Sequence, residues 1–290
     1  MRGTAIKSIK TIIKSQKVNM GGSILDQPLP TRELNYLDPF VLIHHFKREA
    51  KPGKAQKDTG VGVHPHRGFS PVTFVYKGEN EHRDSLGNVE VLEAGGTQWL
   101  FAGSGILHSE RASKAFAERG GKTEGIQLWI NSPAEYKMSR PFYTPLSVED
   151  TPVVKNGLSE IAVVSGEFEG MKGPAKSHSP MTILRGALGK GGNVVISLVE
   201  TYNTLIYLLD GEMTINDRTA KAKNMVVFNN DGTSVSLTAT EDTRYIVLSG
   251  EPIGEPIVAQ GPFVMNTEQE INIAYQDTRN GKMGELVEDF

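Results

Sequence analysis

Val61-Gly-Val-His-Pro-His-Arg-Gly-Phe69 and Phe101-Ala-Gly-Ser-Gly-Ile-Leu-His-Ser-Glu110 hold almost every residue of this chain with credible chemistry. His64 and His66 are two apart, and so are His108 and Glu110. On a strand, positions i and i+2 face the same side, so each pair can aim both side chains into one interior. The four form a candidate metal site. Nitrogen and oxygen donors without a thiolate suit a divalent first-row ion and point away from structural zinc. A lone strand histidine more often packs in a core or sits at the surface. Two parity-matched pairs beside glycine-rich turns shift that balance.

The surrounding pattern is β. Pro71-Val-Thr-Phe-Val-Tyr76 reads as a strand, with turns at Lys77-Gly-Glu-Asn80 and Asp84-Ser-Leu-Gly-Asn88. Val89–Leu92, Thr97–Phe101 and Gly125–Ile130 supply further strands, and Ala112–Gly121 reads as a short helix or excursion. Such closely spaced strands with glycine-marked turns predict a sandwich or barrel.

A second β-rich half begins near Val153. Within it, Tyr207-Leu-Leu-Asp-Gly-Glu212 echoes Phe74-Val-Tyr-Lys-Gly-Glu79, and Asn224-Met-Val-Val-Phe228 echoes Gly96-Thr-Gln-Trp-Leu-Phe101. The repeated order predicts an internal duplication with one barrel per half. The expected division is residues 1–145 and 146–290. The second part would include a tail helix from Glu268 to Arg279, capped by Thr267-Glu-Gln-Glu270 and stopped at Asn280-Gly281. Six of the seven histidines lie between His44 and His108, leaving only His178 beyond. Around Ser197 to Val199, where the echo would place a second histidine pair, there is none. Only the first barrel can therefore hold a histidine-rich site.

Other polar and aromatic residues carry weaker signals. His44 and His45 are adjacent, face opposite ways on a strand, and read as packing or surface residues. His82 and Asp84 could orient a ligand, although surface positions entering a turn are the simpler expectation. Trp99, Phe101, Gln127 and Trp129 are either core or the mouth of a pocket. The tail helix reads most simply as a packing element.

The net charge of -3 argues against direct nucleic-acid binding through phosphate neutralisation. The absence of cysteine excludes disulfides, Cys-ligated zinc, iron–sulfur clusters and thiol catalysis. Lysines interrupt the basic N-terminal stretch, so neither a signal peptide nor a membrane span is expected there. A cytoplasmic monomer is the expectation.

At these residues the chain resembles the pirin family of the cupin superfamily. The resemblance rests on His64-Pro-His-Arg-Gly-Phe69, Glu81-His-Arg-Asp-Ser-Leu-Gly-Asn88, Gly95-Gly-Thr-Gln-Trp99 and Gly103-Ser-Gly-Ile-Leu-His-Ser-Glu110. Leu37-Asp-Pro-Phe40 and Gly261-Pro-Phe-Val-Met-Asn-Thr267 also match it. It implies an all-β fold of two tandem jelly-roll-like cupin barrels, face to face, with one divalent metal, iron(II) foremost, in the N-terminal barrel. The implied ligands fall on His64, His66, His108 and Glu110. Many relatives carry a glutamate four residues after the second histidine, where this chain has Ser70.

The resemblance further implies an enzyme similar to quercetin 2,3-dioxygenase. Such an enzyme takes a phenolic or enolic small molecule and O2, cleaves a ring with release of carbon monoxide, and would use Glu110 as the catalytic base. The competing expectation is a non-catalytic, iron-dependent redox sensor acting through a regulatory protein partner. A metal-free binding or storage cupin is the third.

Overall fold

The computed structural model describes residues 5–290 as two compact units, each assembled from separated stretches of chain. One comprises residues 19–25, 40–148 and 253–290; the other comprises the described part of residues 1–18, with 26–39 and 149–252. The tail helix Glu268–Arg279 packs within the first unit, where it buries Ile271 and Ala274 beside Phe263 and Met265. The strand Ile9–Lys14 pairs with Asn224–Phe228 of the second unit. In both cases apolar side chains decide which unit an end of the chain joins.

In the histidine-bearing unit, five neighbouring strands of the larger antiparallel sheet run Phe142–Leu146, Thr97–Phe101, Phe69–Lys77, Gly121–Asn131 and Phe40–Ala50. The smaller sheet runs Val61–His66, Ile106–Arg111, Glu79–Asp84 and Val89–Glu93. The second unit repeats the plan. Its larger sheet includes Asn224–Phe228, Asn203–Asp210, Thr243–Gly250 and Met181–Leu188 in that order. Its smaller sheet is Asn193–Ser197, Ser234–Ala239, Glu212–Ile215 and Arg218–Lys221. The duplication read from the echoes is thus a duplication of cupin architecture. Gly78 and Gly211 mark equivalent turns, with φ of +73° and +78°, a backbone region that glycine enters without steric cost.

The predicted helix cap forms. The Thr267 hydroxyl accepts from the Glu270 amide at 3.2 Å, and the Glu270 carboxylate accepts from the Thr267 amide at 2.8 Å. The tail also holds the histidine segment in place. Arg67 pairs with Asp277 at 2.9 Å, and the Val264 amide donates to the Arg67 carbonyl at 3.1 Å. The buried Lys137 ammonium donates to the carbonyls of Gly68 and Val264, at 2.7 and 2.9 Å. A Cβ at Gly68 would lie 2.1 Å from the Val264 carbonyl oxygen, so this close approach of backbones requires glycine. Among the described residues, no helix is long and apolar enough to cross a membrane.

Candidate metal centre

The strand Ile106–Arg111 lies between Val61–His66 and Glu79–Asp84 in the smaller sheet. Its register places His108 opposite His64, and Ile106 opposite His66. Residues opposite each other share a face of the sheet, so the three imidazoles converge. His64 and His108 have ring centroids 4.3 Å apart, His64 and His66 4.8 Å, and His66 and His108 4.9 Å. One nitrogen from each can lie within 4.8 Å of those of the other two.

The chemistry of these rings is that of metal ligands. The Nδ1 atoms of His64 and His66 sit 2.7 and 2.9 Å from the carbonyls of Gly62 and Pro262. A carbonyl can only accept, so each Nδ1 carries the proton and each Nε2 presents a lone pair. Nε2 of His66 and both ring nitrogens of His108 are buried without a hydrogen-bond partner. Burial, with the charge of His64 adding to it, lowers the His66 pKa to about 3; the Pro262 carbonyl offsets this in part. Burial likewise holds His108 well below its ordinary value, reinforced by His64, His66 and His82. Three converging imidazoles, with buried unpartnered nitrogens on His66 and His108, fit a divalent cation.

Glu110 stands apart from this triad. The bulge between His108 and Glu110 shifts the pairing with Val61–His66, and Glu110 is not among the convergent donors. Its carboxylate accepts from the Thr73 hydroxyl at 2.7 Å, the Asn80 amide at 3.4 Å and the Gln127 amide at 2.9 Å. Asn80 belongs to the smaller sheet, whereas Thr73 and Gln127 belong to a polar row running in register across the larger one: Gln98 opposite Thr73, Thr73 opposite Gln127, and Gln127 opposite His44. Glu110, Gln127, Asn80 and His44 line a cavity of about 490 Å³, which the three histidines do not. Glu110 is thus on the cavity wall, two residues along its strand from His108.

His82 and Asp84 are buried, which corrects the surface expectation. They lie opposite Glu110 and His108 and hydrogen-bond each other at 2.9 Å. Tyr143 stacks on the His82 ring at 3.9 Å, and the His108 centroid lies 5.4 Å from that of His82. Burial raises the Asp84 pKa, but hydrogen bonds from His82 and Asn88 more than offset it, and the net shift is downward.

Trp99 and Phe101 are core residues, whereas Trp129 is half-buried and lies 5.4 Å from His66. Both histidines of the adjacent pair are buried. His45 contacts Glu124 at 3.0 Å, and burial takes the His44 pKa down to about 4. Ser70 is buried opposite Ile130. Thr73 and Asn80 were not singled out from the sequence. A polar residue inside an otherwise apolar strand, as in Val72-Thr-Phe-Val75, was the available signal.

The family models described as Pirin and Pirin C-terminal cupin domain match residues 22–130 and 183–284. The chain belongs to the pirin family. It is 33% identical to mouse pirin over 286 residues, covering 96% of this chain and 94% of the mouse protein. The crystal structure of a quercetin 2,3-dioxygenase from Acinetobacter baumannii superposes with a TM-score of 0.91 at 36% identity, covering 98% of this pirin and 100% of that chain. A bacterial pirin from Escherichia coli in complex with nickel(II) shares the fold, with a TM-score of 0.67 at 24% identity, covering 83% of this chain and 99% of that chain.

Proposed function

We propose that this pirin is a metal-dependent dioxygenase of the quercetin 2,3-dioxygenase type, with His64, His66 and His108 holding the ion and Glu110 serving it as fourth ligand and as base. The observation that carries this reading is the convergence of three imidazoles, two with Nδ1 committed to backbone carbonyls. The name and close structural likeness of the Acinetobacter baumannii protein support the reaction type. Iron(II) is the proposed ion, although nitrogen and carboxylate donors also accept other first-row metals. Such an ion would supply Lewis acidity toward a substrate oxygen and redox chemistry toward O2.

The protein's own part is positioning and proton transfer. Thr73, Asn80 and Gln127 fix the Glu110 carboxylate at the cavity wall. There it receives the proton of a flavonol-type enolic hydroxyl as that oxygen becomes an anion. Phe46, Val75 and Phe116 supply apolar wall that keeps bulk water from the reacting ring.

The test is O2 consumption and carbon monoxide release by iron-loaded chain with quercetin, beside His108→Ala. The expected result is uptake that disappears in the variant. Iron-loaded protein that takes up no O2 with quercetin would overturn this reading and favour the iron-dependent regulator.

A further inference from the structure

We propose that Arg48 anchors a carboxylate on the substrate, so that the cavity favours a phenolic or enolic acid over the neutral flavonol it also accepts. This rests on the dioxygenase reading for the enolic end of the molecule, but the anchor itself can be tested without it.

Phe40–Ala50 presents His44, Phe46 and Arg48 on one face, and all three line the cavity that ends at Glu110. The Arg48 guanidinium lies over the Phe46 ring, 5.4 Å from its centroid. Its Nε is enclosed without a hydrogen-bond partner. The other charges around this cavity have their own partners or water. Glu124 is paired with His45, Lys47 and Lys77 at 3.0, 3.1 and 3.8 Å. Glu79 is paired with Arg119 at 3.1 Å, and Arg111 with Glu288 at 2.6 Å. Lys54, Glu49 and Asp58 are exposed. Among the described residues, Arg48 forms no ion pair with any carboxylate within 4.0 Å.

Arg48 is half-buried with Nε enclosed, a cation partly withdrawn from water without a paired carboxylate is costly, and its planar fork matches an incoming carboxylate through two parallel hydrogen bonds. Burial lowers the Arg48 pKa, opposed by the charge of Glu110 on the wall of the same cavity. At a rise of ~3.3 Å per residue, Arg48 stands about 13 Å along the strand from His44. The guanidinium leans back over Phe46 from there, and the cavity of about 490 Å³ has room for a molecule of two or three rings with its enol at Glu110 and its acid at Arg48. The nearby Glu110 and Glu124 favour a monoanion over a dianionic phosphate.

The experiment measures binding of 4′-carboxy-3-hydroxyflavone and its methyl ester to the full chain, metal-loaded and metal-free, by flavonol fluorescence. The acid should bind about tenfold more tightly than the ester. Arg48→Gln should bring the two together, and Arg48→Lys should keep part of the preference. Equal binding of acid and ester by the native chain, or a preference that survives Arg48→Gln, overturns the proposal.

Calorimetry with benzoate and phenyl phosphate on the metal-free chain separates the anchor from the reaction. Benzoate binding that depends on Arg48 upholds the anchor even if quercetin is never consumed. Benzoate that does not bind, or binds the Arg48→Gln chain equally well, overturns the anchor while leaving any quercetin turnover standing. Phenyl phosphate binding more tightly than benzoate overturns the carboxylate assignment.

Discussion

Across the larger sheet of the histidine-bearing unit, Gln98, Thr73, Gln127 and His44 lie side by side on four neighbouring strands. On the corresponding four strands of the second unit the row is Val226, Ile206, Val247 and Leu184. The smaller sheets differ in the same way. The strands that bring His64, His66 and His108 together in one unit carry Ile196, Val235 and Leu237 in the core of the other. One architecture therefore tolerates either an apolar filling or a polar site. In the second unit burial stabilises each side chain by about 1.5–3 kcal/mol. In the first, buried lone pairs are left without partners, a cost that a bound ion can offset.

That contrast can be broken most sharply at His108. His108→Leu should reduce bound metal from about one ion per chain to near zero by metal analysis, and abolish O2 uptake with it. Metal retained at the native level would dissolve the distinction between the two units. Glu110→Gln comes next. It should lower kcat by about 10²–10⁴ at an unchanged thermal midpoint, as loss of a proton acceptor held by three neutral donors requires.

Stability sharpens the comparison from the other side. Leu237→Ala opens a cavity in the apolar core and should cost about 2–5 kcal/mol in urea unfolding, with metal content unchanged. In the metal-free chain, His108→Leu should move the opposite way by about 1 kcal/mol, because it removes two buried unpartnered nitrogens at similar volume.

A last effect concerns the end of the polar row. His44 is neutral in the fold, with a pKa of about 4 against about 6.5 in the unfolded chain. As pH falls between those values, the unfolded chain takes up the proton first. Stability is then complete above about pH 6.5 and is lost toward pH 4. Comparing native and His44→Gln chains in urea at pH 7 and pH 5 should show the native chain losing on the order of 1–2 kcal/mol more.

Much of this was legible in the sequence, because strand parity and register carry it. His64, His66 and His108 converge since two-residue spacing fixes their faces, and turn glycines such as Gly78 and Gly211 mark the repeat. Parity also predicts that His82 faces inward. Its neighbourhood of Glu81, Arg83 and Asp84 looks like a solvated turn entry, and only the stacking of Tyr143 and the hydrogen bond to Asp84 show why it is buried. The membership of the two units could not be read in the same way. It depends on which core receives Ile9, Ile12 and Ile271, and that is settled by packing between segments far apart in the chain. The position of Glu110 depends on a bulge, which spacing alone does not announce.

The carbonyl that fixes the tautomer of His66 belongs to Pro262, and the strand that receives Arg67 and Lys137 follows it directly. During synthesis the histidine motif leaves the ribosome long before this acceptor exists. Until the tail arrives, His66 is free to present either nitrogen, and an ion captured early would meet an unsorted ligand. A chain ending short of Pro262 would carry every histidine of the motif without the group that orients His66.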